Sequence, residues 1–152
     1  MYVIIQFQGR ELERLVVDSL DELYNFDEFQ IIAPEPEQWF ERDLEHATVD
    51  NPFYRRVVKT GKYHQIVLMS LEPGEEIGWE EHDTDQFIRV ESGDAEIQIN
   101  GGSYQLANES AINIEAGQRH NVVNVGEKPL KLYTIYSPPH HPKGLIQPRK
   151  DK

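Results

Sequence analysis

The chain has 152 residues, a length that suits one domain with a substantial buried core. Its formal net charge is −12, with 27 acidic against 15 basic residues. Because such a surface repels phosphate backbones and anionic membranes, the composition argues against nucleic acid and membrane as partners. The chain has no cysteine, which excludes disulfides and thiolate metal ligands.

The amino-terminal sequence lacks the features of a targeting segment. MYVIIQFQGRELER has no charged region before its apolar run, and that run is too short for a signal peptide. No stretch reaches the roughly 20 apolar residues that a membrane-spanning helix needs. We therefore expect a cytoplasmic protein.

The first fifty residues are the most acidic part of the chain and differ in pattern from the remainder. Residues 3–8 read as a strand and residues 11–17 as its partner across Gly9 and Arg10. Neither segment carries a recognisable site. We interpret residues 1–50 as a small α/β extension that covers a sheet or contributes to an interface.

Two helices are predicted in the same region. Ser19 and Glu22 have the spacing of a capping box, which indicates a short helix. Residues 37–46 could form a second helix with Pro36 in its first turn.

Residues 51–152 predict a succession of short strands separated by turn residues. Asn100 and Gly101 form a strong two-residue hairpin signal. Many short strands at this spacing indicate a mainly β jelly-roll sandwich or barrel. The predicted strands cover residues 54–58, 63–71, 86–90, 95–99, 111–114, 121–125 and 130–136.

Four polar side chains converge in this pattern on one candidate metal site. Glu80 and His82 lie two residues apart, so on a strand both would face the same side, while Glu81 would face the other. A polar turn over residues 83–85 would return Gln86 beside His82, and His120 would arrive from a distant strand. Imidazole, carboxylate and amide groups suit a metal ion that is held without thiolates.

The two segments that carry these residues resemble the paired motifs of the cupin superfamily. The first motif, G-x5-H-x-H-x3,4-E-x6-G, matches the spacing of PGEEIGWEEHDTDQFIRVESG from Gly74 to Gly93. The second, G-x5-P-x-G-x2-H-x3-N, matches Gly117, His120 and Asn124. The resemblance covers about residue 47 to the end and is to the small single-domain, mannose-6-phosphate-isomerase-like group. It implies a jelly-roll barrel (a double-stranded β-helix) with one divalent metal.

This chain departs from the common motif at two ligand positions. Glu80 stands where the motif has its first histidine, and Gln86 stands where it has glutamate. Two imidazoles, one carboxylate and one amide keep the charge of the ligand set at minus one. Because oxygen ligation is harder, the set favours iron(II), manganese or zinc over copper, with nickel as a further candidate.

Other polar residues have weaker patterns. His140 and His141 lie in SPPHHPKG, whose prolines favour an extended surface or interface segment rather than metal ligands. Asn124 either orients a ligand or satisfies a backbone group. An anionic substrate such as a sugar phosphate would need a cation at the metal site. The sequence does not place Arg55, one of the few clustered cations near the predicted barrel, at that site, so a sugar-phosphate substrate is less well supported.

Three functions remain open for a protein with this resemblance. The first is a metal-dependent isomerase that acts on a small carbohydrate-like or carbonyl metabolite. The second is an iron(II)-dependent dioxygenase, and the third is a non-catalytic module that binds a small ligand. We also expect a homodimer, with the strand over residues 3–8 as the candidate contact.

Overall fold

The computed structural model describes residues 1–7, 9–26, 29–36 and 43–150, apart from the side chain of Asn25. The predicted mainly β class is confirmed, and the fold is a jelly roll. The helical elements are a 3₁₀ helix, Leu20–Asn25, and α1, Leu44–Asp50. The strands are β1 (Tyr2–Phe7), β2 (Arg10–Val16), β3 (Gln30–Ile32), β4 (Arg55–Thr60), β5 (Gln65–Leu71), β6 (Asp85–Ser92), β7 (Ala95–Ile99), β8 (Gly102–Leu106), β9 (Ala111–Ile114), β10 (His120–Asn124), β11 (Leu130–Ser137) and β12 (Leu145–Gln147).

The strands form two antiparallel sheets. The larger has the order β2-β1-β3-β12-β4-β5-β11-β6-β9, and the smaller has the order β10-β7-β8. Single bridges at Glu76–Val123 and Glu80–His120 tie the loop between β5 and β6 to the smaller sheet. This loop carries two of the predicted ligands, so the bridges fix where the site forms.

Alternation along the strands builds the main core. On β5 the side chains of Val67, Met69 and Leu71 face inward, and on β11 Leu132 does the same. All four are fully buried. Because the strand period is two, Thr134 and Tyr136 follow Leu132 on the inward face and bring polar groups into the interior.

The predicted hairpin at Asn100 and Gly101 is confirmed. Both residues have positive φ, 46° and 83°, as a type I′ turn between β7 and β8 requires. The predicted strands over residues 95–99 and 111–114 coincide with β7 and β9, and the other predicted strands differ from the observed ones by one or two residues at one or both ends.

The amino-terminal strands continue the large sheet. β3 pairs with β12, so β1 and β2 extend the sheet beyond the carboxyl-terminal strand. A second apolar cluster, which includes Val3, Leu23, Phe53 and Ile146, lies beneath them. β1 is hydrogen-bonded on both sides, and the outer edge belongs to β2. β1, the strand predicted as the candidate dimer contact, is therefore not the edge of the sheet.

The two predicted helices differ in outcome. The capping signal marks the 3₁₀ helix, where the Glu22 carboxylate accepts a hydrogen bond from the Ser19 amide at 3.1 Å. Residues 37–42 of the other predicted helix lie outside the described residues. The helix that is described begins after Asp43, whose carboxylate accepts from the His46 amide at 3.0 Å, and continues to Asp50. Within the described ranges, no helix has the length and apolar character that crossing a bilayer requires.

Candidate metal centre

Glu80, His82 and His120 meet at one end of the jelly roll. Their candidate ligand atoms all lie within 4.8 Å of one another. His82 Nε2 is 3.5 Å from Glu80 Oε2, and the side chain of His82 is only 9% exposed. His120 is buried. The structure therefore brings together three of the four ligands predicted from the sequence.

The backbone around Glu80 is irregular, contrary to the prediction of a strand that carries Glu80 and His82. Only Glu80 makes a bridge, in which it exchanges two amide hydrogen bonds of 2.8 and 2.9 Å with His120. Trp79 and Glu81 are exposed, so the predicted division of inward and outward side chains still applies.

A motif glycine fixes the second histidine. The Gly117 amide donates to the His82 carbonyl at 2.9 Å, and Gly117 has a φ of +84°, a conformation that L side chains rarely adopt. The turn before β10 thus holds the backbone of His82 and delivers His120 three residues later.

Hydrogen bonds orient both imidazoles. His120 Nδ1 lies 2.8 Å from the Gln118 carbonyl oxygen, which can only accept, so a neutral His120 carries its proton on Nδ1 and its lone pair on Nε2. His82 Nδ1 lies 3.2 Å from Thr84 Oγ1. The Nε2 atoms of both rings are buried without a hydrogen-bond partner among the described residues.

Gln86 is buried beside this group, on β6. It pairs with Tyr136 of β11, and its Nε2 donates to the Tyr136 hydroxyl at 3.3 Å. Its Oε1 is buried and has no partner among the described residues. The Tyr136 ring in turn contacts His82, with ring centroids 5.7 Å apart. Burial raises the pKa of Tyr136, so its hydroxyl stays protonated.

The carboxyl-terminal segment reaches the site, which its sequence pattern did not indicate. The His140 ring lies 4.5 Å from the His82 ring between centroids, and His141 Nε2 lies 3.4 Å from the Tyr136 hydroxyl. His140 is exposed overall, as predicted. Packing of its ring against neighbouring rings still removes part of its hydration and lowers the pKa of His140; burial, with the charge of Arg55 adding to the effect, lowers the pKa of His141 to about 3.

Buried Gln65 holds this segment in place. Its Oε1 accepts from the amides of His140 and His141 at 3.1 and 2.8 Å, and its Nε2 donates to the His141 carbonyl at 2.8 Å. Further along, Gly144 has a φ of +74°, and a Cβ there would lie 2.1 Å from the Ala33 carbonyl oxygen. The two adjacent histidines after the strand that ends at Ser137 were the feature of the sequence that could have indicated a role at the site. No local pattern, however, shows that the distant Gln65 binds their backbone.

Asn124 serves the backbone. Its Nδ2 donates to the carbonyls of Leu71 and Lys128 at 2.9 and 3.0 Å, and its Oδ1 accepts from the Gly126 amide at 2.9 Å. These three hydrogen bonds engage both the nitrogen and the oxygen of the Asn124 side chain. Of the two predicted roles, the structure therefore supports the one in which Asn124 provides hydrogen-bond partners for the backbone.

The donor set fits a divalent metal. Two imidazole Nε2 atoms and one amide oxygen are buried without a hydrogen-bond partner among the described residues, a costly arrangement that a bound cation would relieve. Glu80 adds the charge that a divalent ion favours. Nitrogen and oxygen donors without sulfur suit iron(II), manganese and zinc.

Comparison with known proteins places the chain in a family. Residues 67–136 match the model described as "Cupin domain". The protein YrkC of Bacillus subtilis (strain 168) is 41% identical over 125 residues, which are 78% of this chain and 66% of YrkC. The protein L612 of Acanthamoeba polyphaga mimivirus is 44% identical over 114 residues, 71% of each chain. Both are called uncharacterized.

A solved structure extends the likeness to three dimensions. The crystal structure of BH2720 from Bacillus halodurans is 40% identical and has a TM-score of 0.72. The match covers 77% of this chain and 92% of BH2720. With the jelly-roll topology and the paired motifs, these matches show that the chain belongs to the cupin superfamily.

Proposed function

We propose that this cupin binds one divalent metal through Glu80, His82, Gln86 and His120 and isomerises a small, oxygen-rich carbonyl metabolite. The observation that carries the metal site is the convergence of unpartnered buried ligand atoms beside a carboxylate. A bound divalent metal would supply a Lewis acid that polarises oxygens of the substrate. Iron, manganese and zinc are the favoured ions.

Metal analysis tests the site directly. The protein, purified and offered iron(II), manganese and zinc separately, should retain close to one ion per chain by mass spectrometry. His82→Ala should lose the ion, whereas His64→Ala should keep it because His64 is exposed and lies outside the site. Wild-type protein without metal under these conditions would contradict the proposal.

His140 is the observation that favours an isomerase. An isomerase needs a group that moves a proton and does not itself bind the metal. The His140 ring lies against His82 and outside the three-residue group of candidate ligands. In this role a ring nitrogen of His140 would take a proton from the substrate and return it to a neighbouring atom, so the reaction needs no redox partner.

Hydrogen exchange in heavy water tests that role. The manganese-loaded protein would be incubated with aldoses, ketoses and uronates, and exchange of carbon-bound hydrogen would be followed by nuclear magnetic resonance. We expect exchange with at least one compound, abolished in His140→Gln and retained in His64→Gln. Equal exchange by His140→Gln would remove His140 from the reaction, and no exchange across the panel would count against the isomerase.

The second candidate is an iron(II) dioxygenase. Glu80, His82 and His120 make the two-histidine, one-carboxylate set used by non-haem iron oxygenases. Iron-loaded protein would then consume oxygen when given enolic or catecholic compounds. A protein that binds a small molecule but shows neither hydrogen exchange nor oxygen uptake would be the non-catalytic module.

The remaining proposals concern subgroup, assembly and location. Motif spacing supports membership of the mannose-6-phosphate-isomerase-like group, and we propose a cytoplasmic homodimer. The contact would be the β2 edge, where Leu12 and Val16 are 52% and 65% exposed. Leu12→Glu should shift a dimer toward monomer in sedimentation velocity, and wild-type protein that is monomeric at high concentration would contradict the dimer.

A further inference from the structure

Arg55 is a buried cation inside the jelly roll. It lies on β4 opposite Met69 of β5, and its side chain shares the inward face with Val57. The residue is 8% exposed. Its neighbour Arg56 faces the other side of β4 and lines a separate surface groove with Asp21. Alternation along β4 thus buries one of two adjacent arginines in the interior.

The guanidinium of Arg55 has neutral neighbours. Nη1 donates to Gln147 Oε1 on β12, and the Tyr54 ring lies 5.1 Å from Cζ. Within the part of the chain that the structure describes, no carboxylate forms an ion pair with Arg55, and Nε is buried without a hydrogen-bond partner. A buried charge without a counter-charge is costly, so this arrangement calls for an anion.

The position of Arg55 connects it to the metal centre. Its guanidinium packs on the Tyr54 ring, and Tyr54 and Val57 belong to the same core cluster as Tyr136. Tyr136 contacts both His82 and Gln86, and His140 contacts His82.

The net charge at the metal centre also favours an anionic ligand. A divalent ion with Glu80 as its one carboxylate ligand keeps one positive charge, and Arg55 adds another. In an interior of low dielectric, two positive charges favour an anionic ligand much more strongly than they would in water. The surface charge of the chain, by contrast, is strongly negative.

We propose that Arg55 recognises a carboxylate of the small molecule that binds at the metal centre, which makes the substrate a carboxylic acid with further oxygens. Nη1 is engaged by Gln147, which leaves the edge formed by Nε and Nη2. This edge presents two parallel donors, the geometry that fits one planar carboxylate. The assignment rests on the proposed function, since it names the substrate class of the same site.

Calorimetric titration with malonate and malonamide tests the assignment. The two probes have the same backbone and differ in charge. We expect manganese-loaded protein to bind malonate at least about 10-fold more tightly than malonamide. Arg55→Gln should weaken malonate binding about 10- to 100-fold and leave malonamide binding unchanged, because charged hydrogen bonds are lost. Arg56→Gln, the adjacent arginine on the opposite face, should behave as wild type.

Several outcomes would overturn the assignment. They are equal affinity of the wild-type protein for the two probes, absence of malonate binding, and an unchanged malonate affinity in Arg55→Gln. Inorganic phosphate binding that depends on Arg55 while malonate does not bind would also overturn it. If Arg55→Gln does not fold, Arg55→Lys serves instead: it keeps the charge but loses the fork, so malonate affinity alone should fall.

The metal-free protein separates this proposal from the proposed function. There, malonate should bind more weakly but should still lose affinity in Arg55→Gln. A chain that binds no metal yet shows this dependence would refute the metal site and keep the carboxylate site. A chain that binds metal normally, but whose malonate affinity does not depend on Arg55, would keep the metal site and refute the carboxylate site.

Discussion

Replacing Tyr136 with phenylalanine should loosen the metal centre without removing a ligand. The Tyr136 hydroxyl bonds Gln86 Nε2 at 3.3 Å and His141 Nε2 at 3.4 Å inside the core. The substitution leaves both nitrogens without this partner. Each neutral hydrogen bond contributes about 1 kcal/mol, and both are long, so the free energy of unfolding should fall by about 1–2 kcal/mol. Loss of a group that orients a ligand weakens metal binding about 10- to 100-fold, and we expect the lower end because burial still confines Gln86.

The assay pairs urea unfolding of the metal-free protein with zinc titration against a chelating dye. Tyr133→Phe is the matched control, because Tyr133 lies on the same strand but on its opposite face. Wild-type zinc affinity in Tyr136→Phe would refute the role of the hydroxyl in holding Gln86. A loss of zinc affinity of the same size in Tyr133→Phe would show that the effect is not specific to the Tyr136 hydroxyl.

Three further substitutions have distinct expected results. Glu80→Gln keeps the shape of the side chain but removes the charge of the ligand set, so zinc affinity should fall by more than about 10-fold in chelator competition; an unchanged affinity would exclude Glu80 as a ligand. Asn124→Ala removes three hydrogen bonds to the backbone, so the free energy of unfolding should fall by about 2–3 kcal/mol while metal content stays at the wild-type level. Loss of metal from a folded Asn124→Ala protein would instead indicate a role at the site. Burial lowers the pKa of His141 to about 3 in the folded chain, well below its value of about 6.5 in the unfolded chain. The neutral form of His141 therefore stabilises the fold above pH 6.5, and this contribution is lost as the pH falls toward 3. Between pH 7.5 and 5 the metal-free wild-type protein should therefore lose about 1–2 kcal/mol more unfolding free energy than His141→Gln, and parallel pH profiles would contradict this.

Local patterns predicted much of the fold because strand alternation and turn residues act over a few positions. Asn100 and Gly101 specified their hairpin, and the ends of the predicted strands lie within two residues of the observed ones. The spacing of Glu80 and His82 also placed them on one side of the chain, although the segment is not a regular strand. His120 is 38 positions beyond His82, so its place at the site could be expected from a distant strand and from the motif resemblance but not from local spacing.

The sequence by itself determined most of the strands, though not β3, β8 or β12, together with the absence of thiolate ligands and the mixed nitrogen and oxygen donor set. Only the tertiary structure decided which other polar groups surround that set. His140 and His141 reach it because the side chain of Gln65, 75 positions from His140, binds their backbone. Arg55 is buried because β4 turns that face toward the core, and adjacent arginines look alike until the sheet is formed. Contacts between distant segments depend on how the whole chain packs, which the periodicity of any one segment does not encode.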